Sequence, residues 1–436
     1  MDVEGWQTRQ LCELADIRIS NVDKKFYDSE KPVKLCNYMD VYANEYVTGN
    51  IQFMEASATP AEIERFSLNC GDVIITKDSE TPDDIGVPAV ITEEINDLVC
   101  GYHLALIRPD QEYLNPVYLA KQLCTSDMVR HFAIKASGST RFGLSIRTIE
   151  TVEIPTPPKP EQTKISEVLS TVDRAIEQTE AIIAKQQRIK TGLMQDLLTR
   201  GIDEHGSIRS EETHEFKDSP LGRIPVEWDL VSISGVSDVR GRVGWKGYTV
   251  SDLRDSGPLA LGAAQISTDY HLNLSRPTHL SIEKYEESPE IMVHADDILV
   301  VQRGNSIGKV VLIDRDIGPA TINPSMILLT KLKVSPQFVY ATLITSSFQK
   351  QLSDETSATG VPMISQAQLQ RMQIPKPREE EQLMICKILS GLFDSIHSKE
   401  SALLKIRSLK TALMHDLLTG KMRVTHLLTE PQEAGA

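Results

Sequence analysis

Residues 154–202 of this chain recur 220 residues later as residues 374–422, and at that fixed offset 19 of the 49 positions are identical, among them Ile154-Pro155, Glu161-Gln162 and Asp196-Leu197-Leu198-Thr199. A repeat of this length marks a duplicated structural unit and a pseudo-two-fold relation within one chain. Both copies open with Ile-Pro-x-Pro, extended because proline disfavours helix at the residue before it, and then run from Glu-Gln into a long helical pattern. The apolar positions follow a spacing of threes and fours. In the first copy they are Ile165, Leu169, Val172, Ile176 and Ile183, then Leu193 and Leu197 after a polar turn. In the second they are Ile385, Leu389, Leu392, Ile396, Leu403, Ile406, Leu413 and Leu417. That is a coiled-coil type of seam. At about 1.5 Å per residue, residues 161–199 would form a rod of roughly 58 Å. Neither helix can bury its stripe alone, so the pattern predicts that the two pack on each other, antiparallel.

The stretches before each helix have another texture. Each starts with a tryptophan ahead of a short apolar element (Gly5-Trp6, Glu227-Trp228) and continues in strand-like runs broken by Gly, Pro, Asn and Asp. Val33-Lys34-Leu35-Cys36 corresponds to Leu259-Ala260-Leu261-Gly262, and Gly71-Asp72-Val73-Ile74-Ile75 to Asp296-Asp297-Ile298-Leu299-Val300. A polar loop and an Ile-Gly pair follow each of the latter runs (Ile85-Gly86, Ile307-Gly308). The globular parts are thus duplicated too, more loosely than the helices. Residues 203–221 are polar and charged with no apolar period, which reads as a linker, and residues 425–436 read as a disordered tail.

With 436 residues, 40% hydrophobic and 25% charged, the composition is that of a globular protein of several domains. No apolar run reaches membrane-spanning length and the N-terminus is not signal-like, which points to a cytoplasmic protein with no membrane contact. Six scattered cysteines form no metal-ligand pattern and read as reduced thiols. The net charge is −15, of which residues 1–152 carry −10. That is not the broad basic footprint of a protein that holds DNA alone.

Catalytic equipment is sparse. Gly304-Asn305-Ser306-Ile307-Gly308-Lys309 has one residue too few between its glycines for a phosphate-binding loop, and Val310 stands where Ser or Thr would take Mg²⁺. Asn115-Pro116 and Asn323-Pro324 lack the second proline and aromatic residue with which an amino-methyltransferase holds a flipped base. Asp296-Asp297 reads as a turn entering a strand. What remains are basic and aromatic loop residues. Arg240, Arg242, Trp245, Lys246 and Tyr248 interleave with glycines, and Arg303, Asn305 and Ser306 follow an apolar run. In the first half the counterparts are Lys24, Lys25, Tyr27, Lys77, Lys135 and Arg147, with Ser139, Thr140 and Arg141 beside Gly138. Arg and Asn are preferred readers of base edges, and glycine lets backbone approach a phosphate.

The pattern Ile-Pro-x-Pro…Glu-Gln…Ile…Leu…Lys-x-x-Leu-Met-x-Asp-Leu-Leu-Thr, present in both copies, resembles the helical regions of type I restriction-modification DNA specificity subunits. The likeness covers essentially the whole chain, and the loops Gly138-Ser139-Thr140-Arg141 and Arg303-Gly304-Asn305-Ser306-Ile307-Gly308 sit where such domains carry Gly-rich turns. It implies an α+β chain with two globular α/β target-recognition domains (1–152 and 222–372). They would be separated by two long antiparallel coiled-coil-like helices (153–202 and 373–424). It further implies a non-catalytic subunit that binds double-stranded DNA, each domain reading half of a bipartite, asymmetric site while the helices act as a ruler. Two methyltransferase subunits would bind S-adenosylmethionine and methylate adenine, and restriction/translocase subunits would use ATP and Mg²⁺. No cofactor or metal is expected in this chain. The competing readings are a coiled-coil interaction scaffold and the specificity module of another DNA-methylation defence system.

Overall fold

The computed structural model describes residues 3–242, 247–267, 269–356 and 362–428. The chain divides into two units, one of Met1–Ala181 with Ser401–Ala436 and the other of Ile182–Glu400. Among the described residues no helix is long and apolar enough to cross a membrane.

In the first unit the apolar run Val73–Thr76 is the middle of a five-stranded sheet. Its order is Ala15–Ile19, Leu104–Pro109, Val73–Thr76, Pro88–Ile91, Tyr46–Val47. Side chains alternate across a strand, and here both faces are buried. Val73, Ile75, Ala105 and Ile107 pack with Tyr118, Leu119 and Phe132 of the helices Pro116–Leu123 and Ser126–Lys135. Ile74, Leu104, Leu106 and Ile91 face a second, three-stranded sheet of Met54–Ala58, Lys31–Cys36 and Leu98–Cys100. A strand covered on both sides must be apolar throughout, which is why it shows no polar alternation.

The second unit repeats this frame. Ile298–Val301 lies in a four-stranded sheet with Asp238–Gly241, Met326–Thr330 and Val310–Leu312. Ile298, Val300, Ile327 and Leu329 face the helix side, while Leu299, Val301, Met326 and Leu328 face the three-stranded sheet of His279–Leu280, Leu253–Leu261 and Ala320–Ile322. Even the parallel pair is kept: Lys34 opposite Leu98 in one unit, Leu259 opposite Ala320 in the other.

The two repeated segments form single helices, Lys159–Thr199 and Glu379–Leu418. Within each unit the helical segments run antiparallel. In the first, Glu180 pairs with Arg407 at 2.6 Å and Asp173 with Lys410 at 2.8 Å. In the second, Gln187 donates to Glu400 at 3.4 Å, and Lys190 lies 4.6 Å from the Phe393 ring centroid. All fifteen apolar seam residues are buried or half-buried. The seam does more than join helices. Ile165, Leu169 and Leu417 belong to the core of the first globular domain, and Ile385, Leu389 and Leu197 pack with Phe338 and Ala341 of the second. Full burial of one such side chain contributes about 1.5 to 3 kcal/mol, so the helices are part of the domain cores.

The repeated Glu-Gln has a defined task. Gln162 Oε1 accepts the amide N–H of Asn115 at 2.8 Å and its Nε2 donates to the Pro157 carbonyl; Gln382 does the same with Ser335 at 3.1 Å and Pro377. Asn115 and Ser335 are the N-caps of Pro116–Leu123 and Pro336–Leu343, with proline in the first turn of each. Asn115-Pro116 is therefore a helix start. Glu161 accepts from the Trp6 indole at 3.2 Å and pairs with Arg423 at 2.7 Å, and Glu381 accepts from the Trp228 indole and pairs with Arg209.

The expected linker 203–221 is an ordered element. An Ile202–Ile208 bridge and the hairpin Phe216–Ser219/Gly222–Pro225 fold it back, and it contributes buried Arg209 and Leu221. Gly201, at φ +65°, reverses the chain, and a side chain there would meet Glu381, the Trp228 ring and Arg209. The order comes from these fixed contacts, which a polar sequence does not advertise. Residues Thr425–Leu428, at the start of the expected disordered tail, form a 3-10 turn.

Candidate nucleic-acid interface

In the first domain the chain leaves the buried strand Val73–Thr76 through Lys77 and Asp78, both half-buried. Asp78–Ser79 then pairs with Phe142–Gly143, which carries Arg141 alongside. Asp78 is the hub. Its Oδ1 accepts Arg141 Nε at 3.1 Å and Nη2 at 2.8 Å. Its two oxygens lie 2.7 and 3.0 Å from His103 Nδ1, and Lys77 Nζ is 3.2 Å away. Burial would raise the Asp78 carboxyl, but hydrogen bonds from His103 and Lys77 outweigh it and hold it below the ordinary range. Asp78 is largely buried, whereas the Arg141 side chain is 58% exposed.

Aromatic residues flank this hub. Tyr102 lies against His103 with ring centroids 3.6 Å apart, and Tyr38 stacks on Tyr42 at 5.4 Å. The Tyr38 hydroxyl hydrogen-bonds to Ser79. Exposed rings beside charge-compensated basic groups suit stacking and polar contact with nucleobases. The sequence reading missed Asp78, His103, Tyr38, Tyr42 and Tyr102, because they converge from separate elements with no local pattern.

Lys77, Ser139, Thr140 and Arg141 are thus placed at or next to one surface cluster. Lys24, Lys25 and Tyr27 are exposed on a separate loop held by Ser57, whose hydroxyl accepts the Tyr27 amide at 2.8 Å. Lys135 and Arg147 are exposed on the helices Ser126–Lys135 and Ile146–Glu150.

In the second domain Arg303 is exposed, its Nη2 donating to the Pro324 carbonyl at 2.6 Å. Asn305 is exposed and Ser306 half-buried in the same turn, which Gly304 enters at φ +91°. Arg240 is exposed and pairs with Asp238 at 3.2 Å. Arg242 does not fit the expectation of a base reader. It is 5% exposed, donating through Nε to the Ile322 carbonyl at 2.8 Å and through Nη2 to Thr321 Oγ1 at 2.9 Å. Half-buried Tyr248 sits with its ring centroid 5.9 Å from that guanidinium. These contacts make Arg242 a tie between the Asp238–Gly241 strand and the second sheet. Trp245 and Lys246 lie outside the described residues. Asp297 accepts the His294 amide at 2.8 Å, forming the turn into Ile298–Val301.

Among the described residues no group of three or more His, Cys, Asp or Glu could hold a metal ion. Two like-built domains, each joined to a pair of long helices and each presenting its own polar loops, define a duplicated recognition protein. Residues 3–186 and 225–406 both match the type I restriction modification DNA specificity domain, and the chain belongs to that family. It is 24% identical over 415 residues to the type I restriction enzyme MjaVIII specificity subunit of Methanocaldococcus jannaschii, spanning 92% of each chain. It is 23% identical over 435 residues to the putative MjaX specificity subunit of that organism, covering 97% of this chain and 94% of the relative. The fold is similar to that of the type I restriction-modification S subunit from M. genitalium. The TM-score is 0.59 at 14% identity, over 95% of this chain and 96% of the other.

Proposed function

We propose that this chain is the non-catalytic, DNA-reading subunit of a cytoplasmic type I restriction-modification complex, each domain reading one half of a bipartite, asymmetric double-stranded site. Two methyltransferase subunits bring S-adenosylmethionine and methylate adenine, and restriction/translocase subunits bring ATP and Mg²⁺. The reading rests chiefly on one contrast. Residues that fasten the long helices to the domains are the same in both copies (Glu161 and Glu381, Gln162 and Gln382), while the equivalent position after the buried strand is Asp78, anchoring the exposed Arg141, in one and the exposed Arg303 in the other. Identical attachment with different exposed chemistry is what two readers of different sequence on a common assembly require. The partners also resolve the charge balance, since a domain of net charge −10 needs another protein to neutralise phosphates. Leu383, Ile388, Leu404 and Leu409, exposed on the second long helix, are side chains such a partner would cover.

Co-expression with the methyltransferase of the same system tests this. The complex is expected to bind one bipartite sequence with an affinity that falls steeply with salt, and sequencing of methylated adenines is expected to return that motif only when this gene is present. A methylation pattern independent of this chain, or no association with the methyltransferase, would overturn the reading.

A further inference from the structure

We infer that Asp78 is a positioning residue that makes Arg141 the reader of a guanine in the half-site of the first domain; the inference rests on the DNA-reading function proposed above. Asp78 takes the Nε and Nη2 hydrogens on one edge of the planar Arg141 guanidinium through Oδ1, at 3.1 and 2.8 Å. The carboxylate does not use the Nη1/Nη2 end edge; its Nη2 makes one long contact there, 3.3 Å to His103 Nε2, which guanine displaces when the edge acts as a paired donor fork. A fork of that kind matches the O6 and N7 acceptors that guanine shows in the major groove.

The surroundings make the fork selective. Asp78 is itself held by His103 Nδ1 at 2.7 and 3.0 Å and by the strand pairing of Asp78 with Gly143, so the carboxylate cannot swing away with the arginine. Arg141 Nη2 also lies 2.9 Å from His103 Nδ1, so imidazole and guanidinium share one carboxylate. Its negative charge offsets part of the positive charge of Arg141 and of Lys77, whose Nζ is 3.2 Å away, which weakens the pull of this cluster on phosphate and favours a neutral acceptor pair for the exposed arginine. A domain of net charge −10 reinforces the same preference.

The second domain exposes the logic by contrast. Gly143 stands opposite Asp78, and Met363 opposite Arg303, each in an antiparallel pairing just after the equivalent buried strands Val73–Thr76 and Ile298–Val301. One frame position therefore holds the acidic anchor in the first domain and a basic group in the second. Duplication kept the backbone pairing and reversed the charge, as expected at a position that decides what each domain reads.

The test uses the complex with its methyltransferase and a set of duplexes substituted at each base pair of the recognised site. Arg141→Ala is expected to lose roughly 10- to 100-fold discrimination at a single G·C pair of one half-site, with the other positions unchanged. Arg141→Lys is expected not to restore it, because a point charge lacks the fork. Asp78→Asn is expected to weaken discrimination at the same pair while tightening binding to non-specific DNA and steepening its salt dependence, since the uncompensated guanidinium accepts phosphate. A purely structural Asp78 would instead lower the melting temperature and weaken all duplexes alike. Uniform loss in Arg141→Ala, or unchanged discrimination at every position, overturns the inference. A wild-type complex with no sequence preference would sink the function beneath it.

Discussion

Glu381 and Trp228 lie 153 residues apart in sequence and meet at 3.1 Å, the carboxylate Oε2 accepting the indole Nε1–H. The same carboxylate takes the Arg209 guanidinium, and both charged side chains are about nine-tenths buried. Glu161 holds Trp6 and Arg423 in the same way in the other unit. Each long helix is thereby fastened at its first turn to the segment that enters its domain and to the loop that follows the other helix. Glu381→Ala leaves the indole N–H without this acceptor and the buried Arg209 guanidinium with Glu227, at 3.0 Å, as its remaining ion-pair partner. It is expected to destabilise the 182–400 unit by about 2 to 4 kcal/mol, below the cost of a fully unpaired buried charge. Denaturation followed by Trp228 emission, with Trp6 and Trp245 replaced by Phe, reads this directly. A change below about 1 kcal/mol would show that packing alone holds the helix.

Asp173 gives the first unit a built-in acid limit. Burial would raise its carboxyl, but hydrogen bonds from Lys121, Lys410 and the Tyr46 hydroxyl outweigh that and hold it below the usual value. Tyr46, half-buried in the same cluster, is pushed up to about 12 by burial first of all. A depressed carboxylate means that the unfolded chain binds the proton more readily. The stabilisation is therefore complete above the unfolded pKa of about 3.9 and is lost as pH falls through the lower folded value. The denaturation midpoint of this unit is expected to drop as pH falls below about 4. In Asp173→Asn it should start lower at pH 7 and show a flatter acid limb. An unchanged acid slope in that variant would exclude Asp173 as the source.

How much of this was readable beforehand depends on how far apart the partners lie in sequence. The seam from Ile165 to Leu197 and from Ile385 to Leu417 was legible because burial along a helix imposes a short period. Glu161-Gln162 and Glu381-Gln382 stood out because duplication fixed their offset. Their partners did not stand out. Arg423 follows its helix by five residues after Leu418, and Arg209 by ten after Thr199, so no alignment superposes them, yet both reach the equivalent carboxylate. Asp78, His103 and Arg141 come from three separate segments and meet only once the sheet has formed. Arg242 misled for the opposite reason: a Gly- and Arg-rich stretch suggests an exposed loop, and only the tertiary fold places its guanidinium against the Ile322 carbonyl.

The two copies of the helix junction use different physics at matched positions. Lys410 and Lys190 are related by the 220-residue offset, as are Asp173 and Phe393. Lys410 bonds to Asp173 at 2.8 Å and to Glu45 at 2.5 Å, whereas Lys190 lies over the Phe393 ring. Burial lowers the Lys190 ammonium pKa, with Asp269 and Glu400 partly opposing the shift. Lys410→Met should destabilise its unit by about 2 to 4 kcal/mol, since it leaves the buried Asp173 carboxylate with one donor fewer, the exposed Glu45 adding little. Lys190→Met gives up a cation–π contact of about 0.5 to 2 kcal/mol but also relieves desolvation, so its net effect should stay within about 1 kcal/mol. Paired denaturation curves decide the matter, and equal losses in both variants would refute the asymmetry.

Arg242 provides the sharpest separation of structure from reading. Its guanidinium bonds to the Ile322 carbonyl and Thr321 Oγ1, both within the three-stranded sheet, while its own backbone continues the strand Asp238–Gly241 of the four-stranded sheet. Arg242→Ala leaves those acceptors buried and opens a gap between the sheets. A lost hydrogen bond to a charged donor contributes about 1.5 to 3 kcal/mol, so a stability loss of at least that size is expected in the 182–400 unit. Sequence preference should persist in whatever fraction remains folded, because the side chain has no exposed edge to offer a base. Arg303→Ala should behave in the reverse way, with little change in stability and relaxed discrimination at one position of the second half-site. Melting temperature and methylation of substituted duplexes, measured on both variants in the methyltransferase complex, separate the two roles. Loss of discrimination in Arg242→Ala at unchanged stability would mean that the arginine leaves its buried contacts when DNA binds.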